Sequence, residues 1–264
     1  MITTAIALFI LGAVLGSFAC CQAHRIKNHD RTKHSHCAHC PYQLKWYDNI
    51  PLISWLALKG NCRKCHRPIG PWEPLSELFL GLAFVITFIF WPVSIGLGTW
   101  IGIALFGVFL LLLTGLAILF IYDARWGELP IKLLTFSSIC AIIFLILQQW
   151  SLFSIGQFSF TIFPNLLGAL LILPVFYFLL YKASREQWIG GGDWLLCLPL
   201  ALILSNFWLA FFCLFLANLL GTLASIPTLL KRQKHSKIHF GPFLILAFLI
   251  TFLTQDLIIN LFIL

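Results

Sequence analysis

Charged residues are scarce in this chain. Only 10% of its 264 residues are Asp, Glu, Lys or Arg, whereas 60% are hydrophobic, and the mean hydropathy is +0.95. Soluble globular proteins carry about 25% charged residues. The shortage of charge excludes an ordinary soluble domain and is typical of a polytopic membrane protein.

Other missing features narrow the class further. No fixed-period repeat or low-complexity tract is present, which argues against a solenoid. No Lys or Arg precedes the first apolar run, so this run lacks the basic start of a signal peptide and is expected to be a retained span. The net charge of +8 lies in loops between apolar runs, which indicates membrane orientation and not nucleic-acid binding.

Eight apolar runs predict an all-α polytopic membrane protein with about eight transmembrane helices. The sixth run contains only about eleven residues. A span normally needs about 17–25 residues, so this run is the weakest candidate for a full crossing. The runs cover residues 2–21, 75–92, 100–122, 131–149, 162–181, 194–204, 207–230 and 240–264.

The distribution of basic residues predicts the orientation of these spans. With eight spans and the N-terminus outside, all 17 Lys and Arg residues fall in the cytoplasmic segments 24–74, 123–132, 182–193 and 231–239. The outer segments 93–99, 150–161 and 205–206 contain none. Positive charge marks the cytoplasmic side. We therefore predict a first span at 1–23, a cytoplasmic insert at 24–74 and a helical membrane bundle at 75–264.

Two acidic residues lie at predicted cytoplasmic ends of spans. Asp123 follows the third apolar run, and Asp193 opens the sixth, directly after Gly190, Gly191 and Gly192. Acids at such positions usually face the protein interior or a wet cavity, and they often have a function. Two facing carboxylates can act as an acid/base pair, in which one holds a proton while the other activates water. The glycines would let a substrate backbone approach Asp193 closely.

Four cysteines form two Cys-x-x-Cys pairs in the insert. Cys37, Cys40, Cys62 and Cys65 follow the pattern Cys-x2-Cys-x21-Cys-x2-Cys. This spacing suits tetrahedral zinc, and four thiolates close the coordination shell, so the predicted zinc is structural. Reduced or redox-labile thiols are the alternative. The remaining five cysteines lie in apolar runs and are expected to be buried hydrophobic residues.

Several motifs, taken in order, resemble the prepilin peptidases, also called type IV leader peptidases. These are membrane aspartic proteases with a Gly-x-Gly-Asp motif. The resemblance covers nearly the whole chain. The matching stretches are Gly16-Ser17-Phe18 with Arg25, Asn49 to Trp55, Gly60-Asn61-Cys62, Pro68-Ile69, Pro74 to Leu78, Asp123 with Pro130, Gly190 to Asp193, and Phe240-Gly241-Pro242-Phe243.

The resemblance implies cleavage of the short basic leader of prepilins or pseudopilins at the cytoplasmic face of the bacterial inner membrane. It implies Asp123 and Asp193 as the catalytic pair. In many members the new terminus is also N-methylated with S-adenosylmethionine. The chain departs from the family at Ile131 and Leu195, where Asp and Lys are usual, and at Cys20, where Asn is usual. Both catalytic carboxylates are retained.

Other features leave alternatives open. Glu73 and Glu77 lie at the start of the second span. There they would either interact favourably with the positive end of the helix dipole or bind a basic leader. Arg125 could favour the ionised form of Asp123. A proton-coupled transporter would also use paired acids, but it would spread them across the membrane depth. A zinc-stabilised scaffold without catalysis would leave the Gly-Gly-Gly-Asp motif without a role.

Overall fold

The computed structural model describes residues 1–29, 36–37, 40–93, 97–154, 156, 160–185, 190–230 and 239–263. Over these residues the chain is helical and contains no β-strand, and extended pairing is limited to two isolated bridges, His36 with Gln43 and Asn61 with Pro68. The predicted all-α class is confirmed. The four predicted cysteine ligands also come together between the first span and the next.

The described residues form eleven α-helices. Helices α6 and α7 are joined without a break by a π-helical turn, Leu171–Val175, which contains Pro174. Proline has no N–H to donate and its ring crowds the preceding turn, which accounts for the wider turn here. The helices are α1 Ile2–Asn28, α2 Ile53–Ala57, α3 Trp72–Ile89, α4 Trp100–Trp126, α5 Ile131–Ser154, α6 Ile162–Leu170, α7 Phe176–Ala183, α8 Gly191–Leu204, α9 Phe207–Leu230, α10 Gly241–Leu253 and α11 Gln255–Ile263.

All eight predicted apolar runs are helical, but not all are long enough to cross a membrane. Six helices among the described residues meet the length and hydropathy of a span: α1, α3, α4, α5, α6 joined to α7, and α9. Helices α10 and α11 make a seventh span only if they are counted together, because they are bent by 74°. Helix α8 has 14 residues. It is about 21 Å long, against a hydrocarbon core of about 30 Å. The expected eight spans are therefore six or seven by length.

The chain divides into two compact units, Met1–Phe90 and Trp91–Leu264. In the first unit, α1 packs along α3 through small residues. A Cβ atom on Gly12 would lie 2.7 Å from the carbonyl oxygen of Leu80, and the Ser76 hydroxyl donates to the carbonyl of Gly16 at 3.1 Å. Small residues allow two helix backbones to approach this closely.

Helix α4 is central to the second unit, where it packs against α5 and α10. The Phe109 ring of α4 stacks on the Phe252 ring of α10 with centroids 4.3 Å apart, and Phe144 of α5 lies against both. Such aromatic pairs add to the stabilisation from burial. Asp123 lies 14 residues beyond Phe109 on α4, about 21 Å further along the helix. The aromatic core thus packs against the middle of α4, and Asp123 lies outside this core at the end of the helix.

Candidate active site

Asp123 lies in the last turn of α4 and is buried, with 4% of its surface exposed. The backbone N–H of Gly241, the first residue of α10, donates to its Oδ2 atom at 3.0 Å. A Cβ atom on residue 241 would lie 2.7 Å from the same oxygen. Only glycine therefore allows the start of α10 to approach this carboxylate.

Asp193 is the third residue of α8 and is also buried, with 6% of its surface exposed. Its Oδ2 atom accepts a hydrogen bond from the backbone N–H of Gly190 at 3.1 Å. A carboxylate in the first turn of a helix also interacts favourably with the positive end of the helix dipole. The glycine motif thus gives Asp193 a backbone donor and a fixed place at the start of α8.

The two carboxylates lie within electrostatic range of each other. One contact between their supporting elements explains why. A Cβ atom on Gly192 would lie 2.7 Å from the Cβ of Leu129, so the loop that follows α4 packs directly against the start of α8. Gly191 lies against the Tyr181 ring. Two acids separated by 70 residues in sequence, 123 to 193, are brought together at one end of the second unit.

Other residues surround the pair. The Tyr177 hydroxyl is buried, accepts a hydrogen bond from Nδ2 of Asn218 at 2.9 Å, and lies within electrostatic range of Asp193. His239 lies within electrostatic range of Asp123. Sequence reasoning missed Tyr177, Asn218 and His239, since nothing in their local pattern relates them to a distant acid. It quoted Gly241 only as part of a motif and assigned it no role.

This arrangement suits proton transfer. Two buried carboxylates, each with one oxygen bonded to a backbone N–H, lie within electrostatic range of each other. Two buried carboxylates in such a relation can hold one proton between them, because ionising both is unfavourable. One carboxylate can then accept a proton from water while the other donates one to a carbonyl oxygen.

The four predicted metal ligands lie in the first unit. The sulfur atoms of Cys37, Cys40, Cys62 and Cys65 all lie within 4.8 Å of one another, and those of Cys37 and Cys65 are 3.8 Å apart. A tetrahedral zinc ion with Zn–S bonds of about 2.3 Å requires its sulfur ligands to be about 3.8 Å apart. The cluster therefore has the ligands and the size to hold a metal ion.

Both cysteine pairs are held in the same kind of hairpin. The N–H of Cys37 donates to the carbonyl of Tyr42 at 3.0 Å, and the N–H of Cys62 donates to the carbonyl of Arg67 at 2.9 Å. An isolated bridge lies immediately outside each of these bonds. In the second hairpin, the backbone N–H of Cys65 foremost, with that of Lys64, lowers the pKa of Cys62 to about 7 although burial opposes the shift. A thiolate at this position favours metal binding.

Asp48 joins the two hairpins. Its carboxylate accepts a hydrogen bond from the Tyr42 hydroxyl at 2.9 Å and forms an ion pair with Nε of Arg63 at 2.9 Å. Burial raises the pKa of Asp48, but the bonds from Arg63, Tyr42 and the Lys45 amide outweigh it and hold the pKa below its usual range. Asp48 therefore links the two hairpins through its side-chain bonds, in addition to the link that a metal ion bound by the four cysteines would make.

Glu73 and Glu77 both lie near the start of α3, in different surroundings. Glu77 is buried, accepts the Leu52 N–H at 2.7 Å and is hydrogen-bonded to Ser17. Leu52 has a positive φ of 60°, so this carboxylate holds a strained turn of the insert. Glu73 is in the first turn of α3, and its buried Oε2 has no hydrogen-bond partner among the described residues. The predicted leader contact of either residue stays a prediction.

Comparison with known proteins decides the family. The model of the bacterial peptidase A24 N-terminal domain matches residues 10–91. The prepilin leader peptidase/N-methyltransferase of Pectobacterium carotovorum is 31% identical over 218 residues, which cover 80% of this chain and 70% of that protein. This chain belongs to the prepilin leader peptidase/N-methyltransferase family. The resemblance of its motifs to the prepilin peptidases is confirmed.

Other family members match different lengths of the chain. The protein of the same name from Vibrio cholerae is 30% identical over 198 residues, which cover 70% of this chain and 71% of that protein. The type 4 prepilin-like proteins leader peptide-processing enzyme of Escherichia coli is 50% identical over 60 residues, but the match spans only 22% of that protein. No solved structure matches the chain significantly.

Proposed function

We propose that this protein is a membrane aspartic endopeptidase that removes the short basic leader of type IV prepilins or pseudopilins. The observation that carries the proposal is the pairing of Asp123 with Asp193, two buried carboxylates within electrostatic range in a chain of this family. We propose these two residues as the catalytic pair. Gly190, Gly191 and Gly192 would leave room beside Asp193 for the substrate backbone.

The proposed reaction begins with one carboxylate ionised and its partner protonated. The ionised group takes a proton from water as the water oxygen bonds to the scissile carbonyl carbon, and the partner donates its proton to the carbonyl oxygen. A tetrahedral diol results. The C–N bond then breaks as the amine takes the proton that came from water, while a diol hydroxyl returns a proton to the partner. The pair ends as it began, with one proton and no covalent intermediate.

The four cysteines would hold a structural zinc ion. When bound, zinc would close the insert by linking the two hairpins, and with four thiolates it has no open position for water. Zinc is supported by the sulfur spacing and by the lowered pKa of Cys62. Zinc would take no part in peptide cleavage. The proposed organisation remains a first span at 1–23, an insert at 24–74 and a membrane bundle at 75–264.

A second activity, N-methylation of the new terminus, is supported by the names of the relatives. It would require S-adenosylmethionine as methyl donor. We propose this activity on that ground and assign no residue to it.

The proposed setting is the bacterial inner membrane, in which this multi-pass protein contacts the lipid bilayer. The N-terminus would lie outside and the catalytic pair near the cytoplasmic face. The support is the placement of all 17 Lys and Arg residues in the loops predicted to be cytoplasmic. A prepilin has the matching orientation, with its basic leader inside and its apolar helix in the bilayer.

The test is cleavage by the purified full-length protein in liposomes. The substrate is a peptide with a basic leader followed by an apolar helix. Asp123→Asn and Asp193→Asn should each lower the rate by about a thousandfold or more, because an amide can neither accept nor donate the required proton. Asp256→Asn is the matched control, since Asp256 is exposed in the first turn of α11 and should not affect cleavage. Retained turnover in either of the first two variants would refute the catalytic assignment.

A further inference from the structure

We propose that His239 is a positioning residue, whose imidazolium lies against the last turn of α4 and favours the ionised form of Asp123. Asp123 would then be the general base of the pair and Asp193 the general acid. This inference rests on the proposed peptidase function and adds to it the assignment of the two roles.

The backbone geometry places His239 at the end of α4. Gly127 ends this helix with a positive φ of 68°, and its N–H donates to the backbone carbonyl of Asp123 at 2.8 Å. A Cβ atom on Gly127 would lie 2.7 Å from Nε2 of His239. The imidazole therefore occupies the space that a side chain on residue 127 would need. Glycine is required at 127 for its backbone conformation and for this contact.

The same short segment also contacts the Asp123 carboxylate. Gly241, two residues after His239, donates its N–H to Oδ2 of Asp123. Residues 239 and 241 thus both lie against the end of α4, the first at Gly127 and the second at the Asp123 carboxylate. His239 lies within electrostatic range of that carboxylate.

This placement gives an imidazolium two favourable interactions. One is with the Asp123 carboxylate, and the other is with the C-terminal end of α4, where the helix dipole is negative. A nearby positive charge in turn favours the ionised form of a carboxylate.

His239 is the feature that distinguishes the two aspartates. Asp123 and Asp193 are buried to nearly the same extent, and each accepts a backbone N–H bond, from Gly241 and Gly190 respectively. Neither burial nor these bonds would assign the two roles. The neighbours of Asp193 include the Asp123 carboxylate and the Tyr177 hydroxyl. A cation beside Asp123 makes the pair unequal.

Other charged groups lie at this end of α4, in the loop that follows it and at the start of α8. Asp123 and Arg125 lie on α4, Glu128 follows it, and Asp193 lies on α8. Arg125 is the cation that the sequence suggests for tuning Asp123. Its guanidinium lies over the Trp126 ring, 4.9 Å from the centroid. Arg125 is therefore the matched control for His239.

The experiment measures kcat and KM of the full-length protein in liposomes, with the leader-plus-helix peptide, from pH 6 to 8.5. His239→Gln, which removes the charge, should lower kcat about tenfold at pH 6 with little change in KM. His239→Lys should restore most of the rate at every pH. Arg125→Gln should match wild type.

Folding of each variant is checked by its thermal unfolding in detergent. A second variant, Gly127→Ala, tests the same contact independently of His239→Gln. Gly127→Ala would displace the imidazole and also strain the left-handed backbone at residue 127, so it should lower kcat at least as much as His239→Gln, and adding His239→Gln to it should lower kcat no further.

The outcomes separate this inference from the proposed function. If the wild type cleaves, the Asp→Asn variants do not, and His239→Gln equals wild type at all pH values, this inference alone is wrong. It is also wrong if His239→Lys is as slow as His239→Gln, because then charge is not what matters. If the wild type does not cleave, the proposed function fails and this inference fails with it.

Discussion

The N–H of Gly241 donates to Oδ2 of Asp123 across 118 positions of sequence, and it does so with no room for a side chain on residue 241. This contact joins the last turn of α4 to the first turn of α10. It makes the opening of α10 part of the candidate active site, although Gly241 carries no chemical group beyond its backbone.

We expect Gly241→Ala to lower kcat by about a hundredfold or more, because a Cβ atom 2.7 Å from Oδ2 must displace the carboxylate. Gly107→Ala is the matched control, since it places the same methyl group on α4 where nothing lies within 4 Å. Cleavage rates of the purified variants provide the measurement. Equal rates for Gly241→Ala and Gly107→Ala would show that the α10 contact does not support catalysis.

Cleavage should pass through a maximum as pH is varied. One carboxylate must be ionised and the other protonated, so rates fall on both sides of the range in which the pair holds a single proton. The two apparent pKa values of the kcat/KM profile belong to the pair and not to single residues. Asp256→Asn should leave both limbs in place. A profile without an acid limb and a basic limb would contradict a shared-proton mechanism.

The cysteine cluster should bind about one zinc ion per chain. Metal analysis of the purified protein, with each Cys→Ser variant of residues 37, 40, 62 and 65, measures this. Cys140→Ser is the control, because Cys140 is buried in α5 outside the cluster. Since zinc is proposed as structural, its removal should lower the thermal stability of the insert. The cleavage rate should be less affected. Zinc-free wild-type protein prepared without chelators would refute the site.

Zinc affinity should weaken as pH falls below about 7. The pKa of Cys62 is lowered to about 7 in the folded protein, chiefly by the Cys65 amide. Zinc binds the thiolate and must displace any proton on it, so protons compete with zinc more strongly once pH falls below this pKa. Titration with a competing chelator at pH 6, 7 and 8 measures the affinity. An affinity that rises toward pH 6 would contradict the proposed thiolate ligands.

Glu77→Ala should destabilise the first unit by about 1–3 kcal/mol, because it leaves the Leu52 N–H without its acceptor. Glu73→Ala is the neighbouring control, and it should have a smaller effect because the buried Oε2 of Glu73 has no hydrogen bond to lose among the described residues. Thermal unfolding in detergent compares them. If Glu77→Ala unfolds like wild type but raises KM for the peptide, Glu77 binds the leader and does not anchor the insert.

The proposed substrate requires both a basic leader and an apolar helix. Three peptides test this in liposomes: the intact peptide, one with Gln in place of the basic residues, and one without the apolar segment. We expect the truncated peptide to be cut slowest, because only an inserted helix brings the scissile bond to the membrane edge. Equal cutting of all three would leave a membrane aspartic protease without the proposed selectivity.

Much of the fold was predictable because membrane spans follow from composition. Apolar runs of sufficient length predict helices, and every predicted run is helical in the structure. The short run at 194–204 ends where α8 ends, at Leu204, but length alone could not show that the run at 240–264 bends by 74° between α10 and α11. This bend leaves no simple periodic signal along the chain.

The sequence by itself determined the membrane class, the two aspartates as candidates and the four cysteines as a ligand set, because rare polar residues in an apolar chain and short Cys-x-x-Cys spacings are local signals. Only the tertiary structure decided which distant groups meet these residues. Leu129 against Gly192, Gly241 on Asp123, and His239 against Gly127 are contacts between separate elements. The packing of the chain creates these contacts, because glycines, which lack side chains, allow two segments to approach closely.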